Sequence, residues 1–118
     1  MTLKLVPLRI PTGWIILKNS FTETNPDNFN DEKYEHIWEF KEDILQLRNK
    51  NLKRIVDLGW YPAHKAEGQY CLVLVDTSEA NDEGSFYWKE IDNYRSRNIN
   101  EITTKIEDLL NKVNQGEL

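Results

Sequence analysis

The chain has 118 residues, the length of one folding unit, of which 39% are hydrophobic, 30% charged and 11% aromatic. Four Trp, five Tyr and four Phe supply too much ring surface for a disordered chain, and no apolar run approaches the ~20 residues of a membrane span. Twenty acidic against fifteen basic residues give a net charge of −5, which argues against an unassisted nucleic-acid binder. The lone cysteine, Cys71, excludes an internal disulfide framework and fits a reducing cytoplasm. The opening stretch is interrupted by Lys4 and Pro7 and is too short for a signal peptide.

No repeat or linker divides residues 1–118, so a single domain is expected. Leu3–Ile10 is short and apolar, and Pro11-Thr12-Gly13 is a turn signal. Trp14–Leu17, β-branched and aromatic, reads as a strand. Residues 22–33 form a polar loop whose Asn and Asp side chains compete with regular structure. Tyr34, His36, Trp38 and Phe40 alternate with Glu35, Ile37 and Glu39, while Ile37, Phe40, Ile44 and Leu47 sit at helical spacing. The alternation is preferred, and residues 34–47 are expected to be extended, with a hairpin turn at Arg48-Asn49-Lys50-Asn51.

The next strand sets Leu52, Arg54, Val56, Leu58 and Trp60 against Ile55, Gly59 and Tyr61, and Pro62 stops it. Gln69–Asp76 is the strongest strand, apolar on both faces, and so is expected in the interior of the sheet and covered on both sides or nearly so. After a polar loop over 77–84, Ser85–Ile91 reads as a further strand. Asn98 with Glu101 makes a capping-box-like start for a helix. Ile99, Ile102, Ile106, Leu109, Leu110 and Val113 form its apolar stripe, and Gly116 stops it. The connections at 48–51, 62–68 and 77–84 are too short for parallel crossovers. The expected fold is α+β: an antiparallel β-sheet of about five strands with a C-terminal α-helix packed on one face.

No constellation carries catalysis, and no catalytic residue, metal site or cofactor is expected. His36, His64 and Cys71 lack the paired spacing of a zinc site. Cys71, in the most apolar strand, reads as a small, inert hydrophobe. His36 reads as a packing residue and His64 as an exposed loop residue. The acidic loop Asp76–Gly84 puts Ala80 and Asn81 where a calcium loop needs an oxygen ligand and then glycine. The five glycines are isolated, so no phosphate-binding loop exists.

Charge distribution is the informative feature. Residues 23–43 hold eight acids against Lys33 and Lys41, the loop from Asp76 to Glu83 adds four acids and no base, and bases cluster at 48–54 and 89–97. Such segregation either solubilises a surface or steers a cationic partner. The acids Glu39, Glu42 and Asp43, together with Asp76, Glu79, Asp82 and Glu83, are the candidate partner-binding residues. Trp60, Tyr61 and Trp88 are the possible aromatic anchors, each of which also suits a core.

Four stretches, Leu8-Arg-Ile-Pro-Thr-Gly-Trp14, Glu39-Phe-Lys-Glu-Asp-Ile-Leu-Gln46, Asp57-Leu-Gly-Trp-Tyr-Pro62 and Arg95-Ser-Arg97, give the chain its further character. In their order and texture it resembles small bacterial immunity proteins encoded beside polymorphic toxins, including those of contact-dependent growth inhibition systems. The resemblance implies a cytoplasmic protein without catalysis of its own that binds and blocks a cognate toxin C-terminal domain, often a nuclease. It implies no direct contact with nucleic acid or membrane. A small adaptor module without a toxin partner is the alternative.

Overall fold

The computed structural model describes residues 3–31, 33–78 and 89–118. Five strands, β1 (Ile15–Asn19), β2 (Leu45–Asn49), β3 (Arg54–Tyr61), β4 (Gln69–Asp76) and β5 (Lys89–Ser96), are hydrogen-bonded in chain order, every pair antiparallel. The helix α1 (Ile99–Asn114) packs on one face against β3, β4 and β5. The fold is therefore the expected α+β sheet and helix. No helix among the described residues is long and apolar enough to cross a membrane.

Residues directly opposite across a ladder share a face. The register sets Leu45 and Leu47 of β2 beside Leu58 and Val56 of β3, and these beside Leu72 and Leu74 of β4. All six are buried, and Ile102, Ile106, Leu109, Leu110 and Val113 of α1 close the same core. Val6, Trp14 and Phe21 join it from the N-terminal segment, whose backbone pairs Val6 with Phe21 (2.7 Å). The helix starts where Asn98 accepts the Glu101 amide at 3.0 Å. Glu101 does not return the bond to Asn98 directly: Ser96 Oγ takes the Asn98 amide at 2.9 Å and donates to Glu101 Oε2 at 2.6 Å. At the far end Gly116 adopts φ +79°, a left-handed turn that favours glycine.

Three boundaries differ from expectation. Residues 34–44 are not a strand: Ile37–Glu39 is a single 3-10 turn and regular pairing begins at Leu45. A strand would put Trp38 and Phe40 on one face, whereas Trp38 is 69% exposed and Phe40 is fully buried. Phe40 enters a ring cluster, 4.7 Å from Phe29 and 4.5 Å from Trp60, and that packing outweighs the local alternation. The β2–β3 turn lies at 50–53 rather than 48–51, because the Asn49 side chain ends β2 by accepting the Leu52 amide at 2.9 Å. Leu52 is consequently outside β3 and exposed.

The third difference is β5. Positions 85–88 of the expected Ser85–Ile91 strand lie outside the described residues, and from Lys89 the strand runs on to Ser96. β4 is an interior strand with the expected bounds, but its second face is covered unevenly. Val75, opposite Ile55, is buried there, while Cys71 and Val73 stay partly exposed. Cys71 is thus not a core thiol. Trp60 anchors the interior: its indole N–H donates to Lys65 O at 2.9 Å, and the Arg97 guanidinium lies 5.1 Å over its ring. Arg97 also donates to the carbonyls of Ala66, Gly68 and Pro26, which ties two loops to the start of α1.

Candidate protein-interaction surface

Between Phe40 and Leu45 the chain leaves regular pairing while staying attached to β3 at two points. Trp60 N–H donates to Lys41 O at 2.8 Å, and Ile44 N–H donates to Leu58 O at 3.0 Å. Gly59 therefore faces two residues, Glu42 and Asp43, instead of one. The extra residue arches outward, as in a bulge, and both carboxylates are exposed. The arch fits because Gly59 has no side chain: the Glu42 carbonyl occupies the place a Cβ would take.

Asp57 sits on β3 next to this arch, on the face turned away from α1. Burial first, then the neighbouring Asp43 charge, holds its carboxyl above the usual aspartate range. Tyr61, 46% exposed, ends the same strand. Its phenol is pushed up by burial and then by Asp57, Glu42, Cys71 and Asp43. Leu17, Lys18, Leu45 and Gln46 join Asp43 and Asp57 around a hollow of about 280 Å³. Beyond the arch, Trp38 packs edge-on to His64 with ring centroids 4.7 Å apart, and the His64 amide donates to Phe40 O at 2.7 Å. His64 is half-buried rather than exposed and adopts φ +59°. One end of the sheet thus groups three carboxylates, Glu42, Asp43 and Asp57, with the exposed rings of Trp38 and Tyr61.

The seven acidic residues singled out from the sequence do not form one face. Glu42 and Asp43 come together as described. Glu39 is half-buried and accepts a hydrogen bond from Thr22 Oγ1 at 3.1 Å. Asp76 pairs with Arg54 at 3.1 Å and accepts the Ser78 amide at 2.8 Å. It lies opposite Arg54, six residues along β3 from Trp60 and so ~20 Å from the arch. Hydrogen bonds from Ser78, then Arg54 and Lys89, hold its carboxyl below the usual range. Glu79, Asp82, Glu83 and the possible anchor Trp88 lie outside the described residues. Trp60 is core, which leaves Tyr61 as the one described anchor that stands.

Sequence reasoning missed Asp57 and Trp38. Asp57 had a signal, as the only charge between Ile55 and Tyr61. Trp38 had none, because alternation grouped it with Phe40. The basic clusters are partly spent within the fold. Arg54 also donates to Leu118 O at 3.0 Å, and Arg97 is committed to three carbonyls. A larger hollow of about 620 Å³ lies beside the start of α1. Its lining mixes Glu23 and Asp27 with that committed Arg97 and so selects no sign of charge. Among the described residues no group of three or more His, Cys, Asp or Glu side chains is arranged to hold a metal ion. No protein-family model, curated protein or solved structure matches the chain.

Proposed function

We propose that this chain is a non-catalytic neutralising protein that works in the cytoplasm, binding a basic toxin domain of nuclease type and blocking its substrate surface. The observation that carries the reading is the grouping of Glu42, Asp43 and Asp57 with exposed Trp38 and Tyr61 at one end of the sheet. Carboxylates on an outward arch stand in for the phosphates that a nuclease's Lys and Arg side chains hold. Rings with large contact area and few rotatable bonds supply the anchoring energy at the centre of such interfaces. Asp57 adds a specific argument: its charge is disfavoured by burial and by Asp43. A cation from a partner reverses that penalty, so the acid pair gains more from a basic partner than an isolated surface acid does. The resemblance to immunity proteins points the same way.

The test begins with the variable C-terminal domain of a large secreted or surface protein encoded immediately upstream. The purified domain is assayed for nuclease activity with and without this protein. Wild type should abolish the activity at equimolar ratio, and Trp38→Ala should weaken binding about 30-fold, as loss of a hot-spot ring does. Equal neutralisation by Trp38→Ala and by the double variant Glu42→Lys/Asp43→Lys would remove this surface from the interface. Absence of such a neighbouring domain would favour an adaptor role.

A further inference from the structure

We propose that the hollow bordered by β1 and the arch is a socket for one arginine side chain of the partner, its guanidinium seated between Asp43 and Asp57; the occupant rests on the toxin-binding reading. Two local irregularities border the hollow. In β1 the bulge between Ile16 and Lys18 leaves Leu17 without a cross-strand partner. Beside β3 the arch carries Asp43 outward past Gly59. The register sets Lys18, Gln46 and Asp57 side by side across β1, β2 and β3, on the face turned away from α1. The space among these residues is about 280 Å³.

Charge and shape together select the occupant. Asp76, Asp92 and Asp108 are paired with Arg54, Lys105 and Lys112. Among the described residues the Asp43 and Asp57 carboxylates have no hydrogen bond or ion pair, and Lys18 pairs with neither. Asp57 is half-buried, so water screens its charge poorly, and a cation between the two acids relieves their repulsion. Two acids and one base leave the lining a net charge of −1, which one cation cancels. The acceptors come from three places: the arch, β3 and the Gln46 amide oxygen of β2. A guanidinium has five N–H donors in one plane and is more weakly hydrated than an ammonium. It therefore meets several acceptors at once and enters a half-buried site at less cost. Leu17, 50% exposed, offers apolar surface to the side-chain stem.

NMR titration of the full chain with n-butylguanidinium, at constant ionic strength, tests the socket without any toxin. The expected result is saturable binding with a Kd of about 10 mM, moving the Leu17 methyl, Gln46 side-chain amide and Asp57 signals together. Asp57→Asn keeps the shape and removes the charge, and should weaken binding about tenfold. Lys18→Ala removes the opposing charge and should tighten it about threefold. No saturable shift, equal binding by Asp57→Asn, or tighter binding of n-butylammonium or calcium ion overturns the proposal. Against a toxin domain that wild type neutralises, Asp57→Asn should bind about tenfold more weakly. Undiminished binding by Asp57→Asn there overturns the socket and leaves the toxin reading standing. Probe binding at the hollow with no neutralised domain supports the socket and overturns the toxin reading alone.

Discussion

Glu42 holds its main-chain carbonyl oxygen in the space where a Cβ on Gly59 would stand. The carbonyl cannot swing aside freely, because the bonds from Trp60 N–H to Lys41 O and from Ile44 N–H to Leu58 O fix the chain on both sides of it. Gly59→Ala should therefore destabilise the protein by about 1–3 kcal/mol, the usual range for overpacking. Urea denaturation provides the measurement. A Gly59→Ala chain as stable as wild type would mean that the arch yields at no cost and that Glu42 and Asp43 are not held in place.

Two aspartates should give stability effects of opposite sign with pH. Asp57 has a raised pKa in the folded state, so its penalty is absent in strong acid, where the group is protonated in both states. The penalty grows as pH rises from about 3.9, the unfolded value, through the folded one. Asp76 has a lowered pKa, so its stabilisation is present above about 3.9 and is lost as pH falls through the folded value. Asp57→Asn should raise the melting temperature at neutral pH and lose that gain in acid. Asp76→Asn should lower it at neutral pH and converge with wild type in acid. Thermal denaturation across the two ranges decides, and no gain from Asp57→Asn at neutral pH would count against an unneutralised acid pair.

Association with a basic toxin domain should separate the roles of acids and rings. Glu42→Lys with Asp43→Lys should lower the association rate and flatten its dependence on salt, since exposed charges act mainly through steering. Trp38→Ala should act mostly on dissociation. Lys50→Glu with Lys53→Glu, on the turn at the other end of β3, is the control and should leave the rate nearly unchanged. Stopped-flow measurements over a range of ionic strength distinguish these outcomes. Slowing by the control alone would move the interface to that turn.

Leu109 is buried at the centre of the α1 stripe. Leu109→Ala should cost about 2–4 kcal/mol in chemical denaturation. An unchanged midpoint would show that the helix contributes little to the core.

The helix could be read from the sequence because its information is local: a side chain that caps the first turn, apolar residues at helical spacing, and a glycine past the end. β4 was equally plain, bounded by Gly68 on one side and a polar stretch on the other. Residues 34–44 could not be read that way. The burial of Phe40 is decided by Phe29, Trp60 and Tyr70, which arrive from distant parts of the chain. β5 extended further than its apolar residues suggested, because on an edge strand the backbone ladder to β4 sets the length. At the candidate surface, charge density alone named Glu42 and Asp43. Their pairing with Asp57 required Gly59, whose part depends on a contact that no local pattern encodes.

The first dozen or so residues are held by the last turns of α1. Arg9 N–H donates to Glu107 Oε2 at 2.8 Å, the Trp14 indole donates to Asn114 Oδ1 at 3.1 Å, and Asn114 Nδ2 donates to Thr12 O at 3.0 Å. These partners are 98 to 102 positions apart. Contacts of such span make for slow closure, since the chain between them must be ordered first. During synthesis the segment around Trp14 emerges early, and its bonds to Asn114 cannot form until the end of the chain is made. Any activity that needs the closed fold, the proposed toxin binding included, then waits on the time to finish and close the whole chain, not on the time to form the arch.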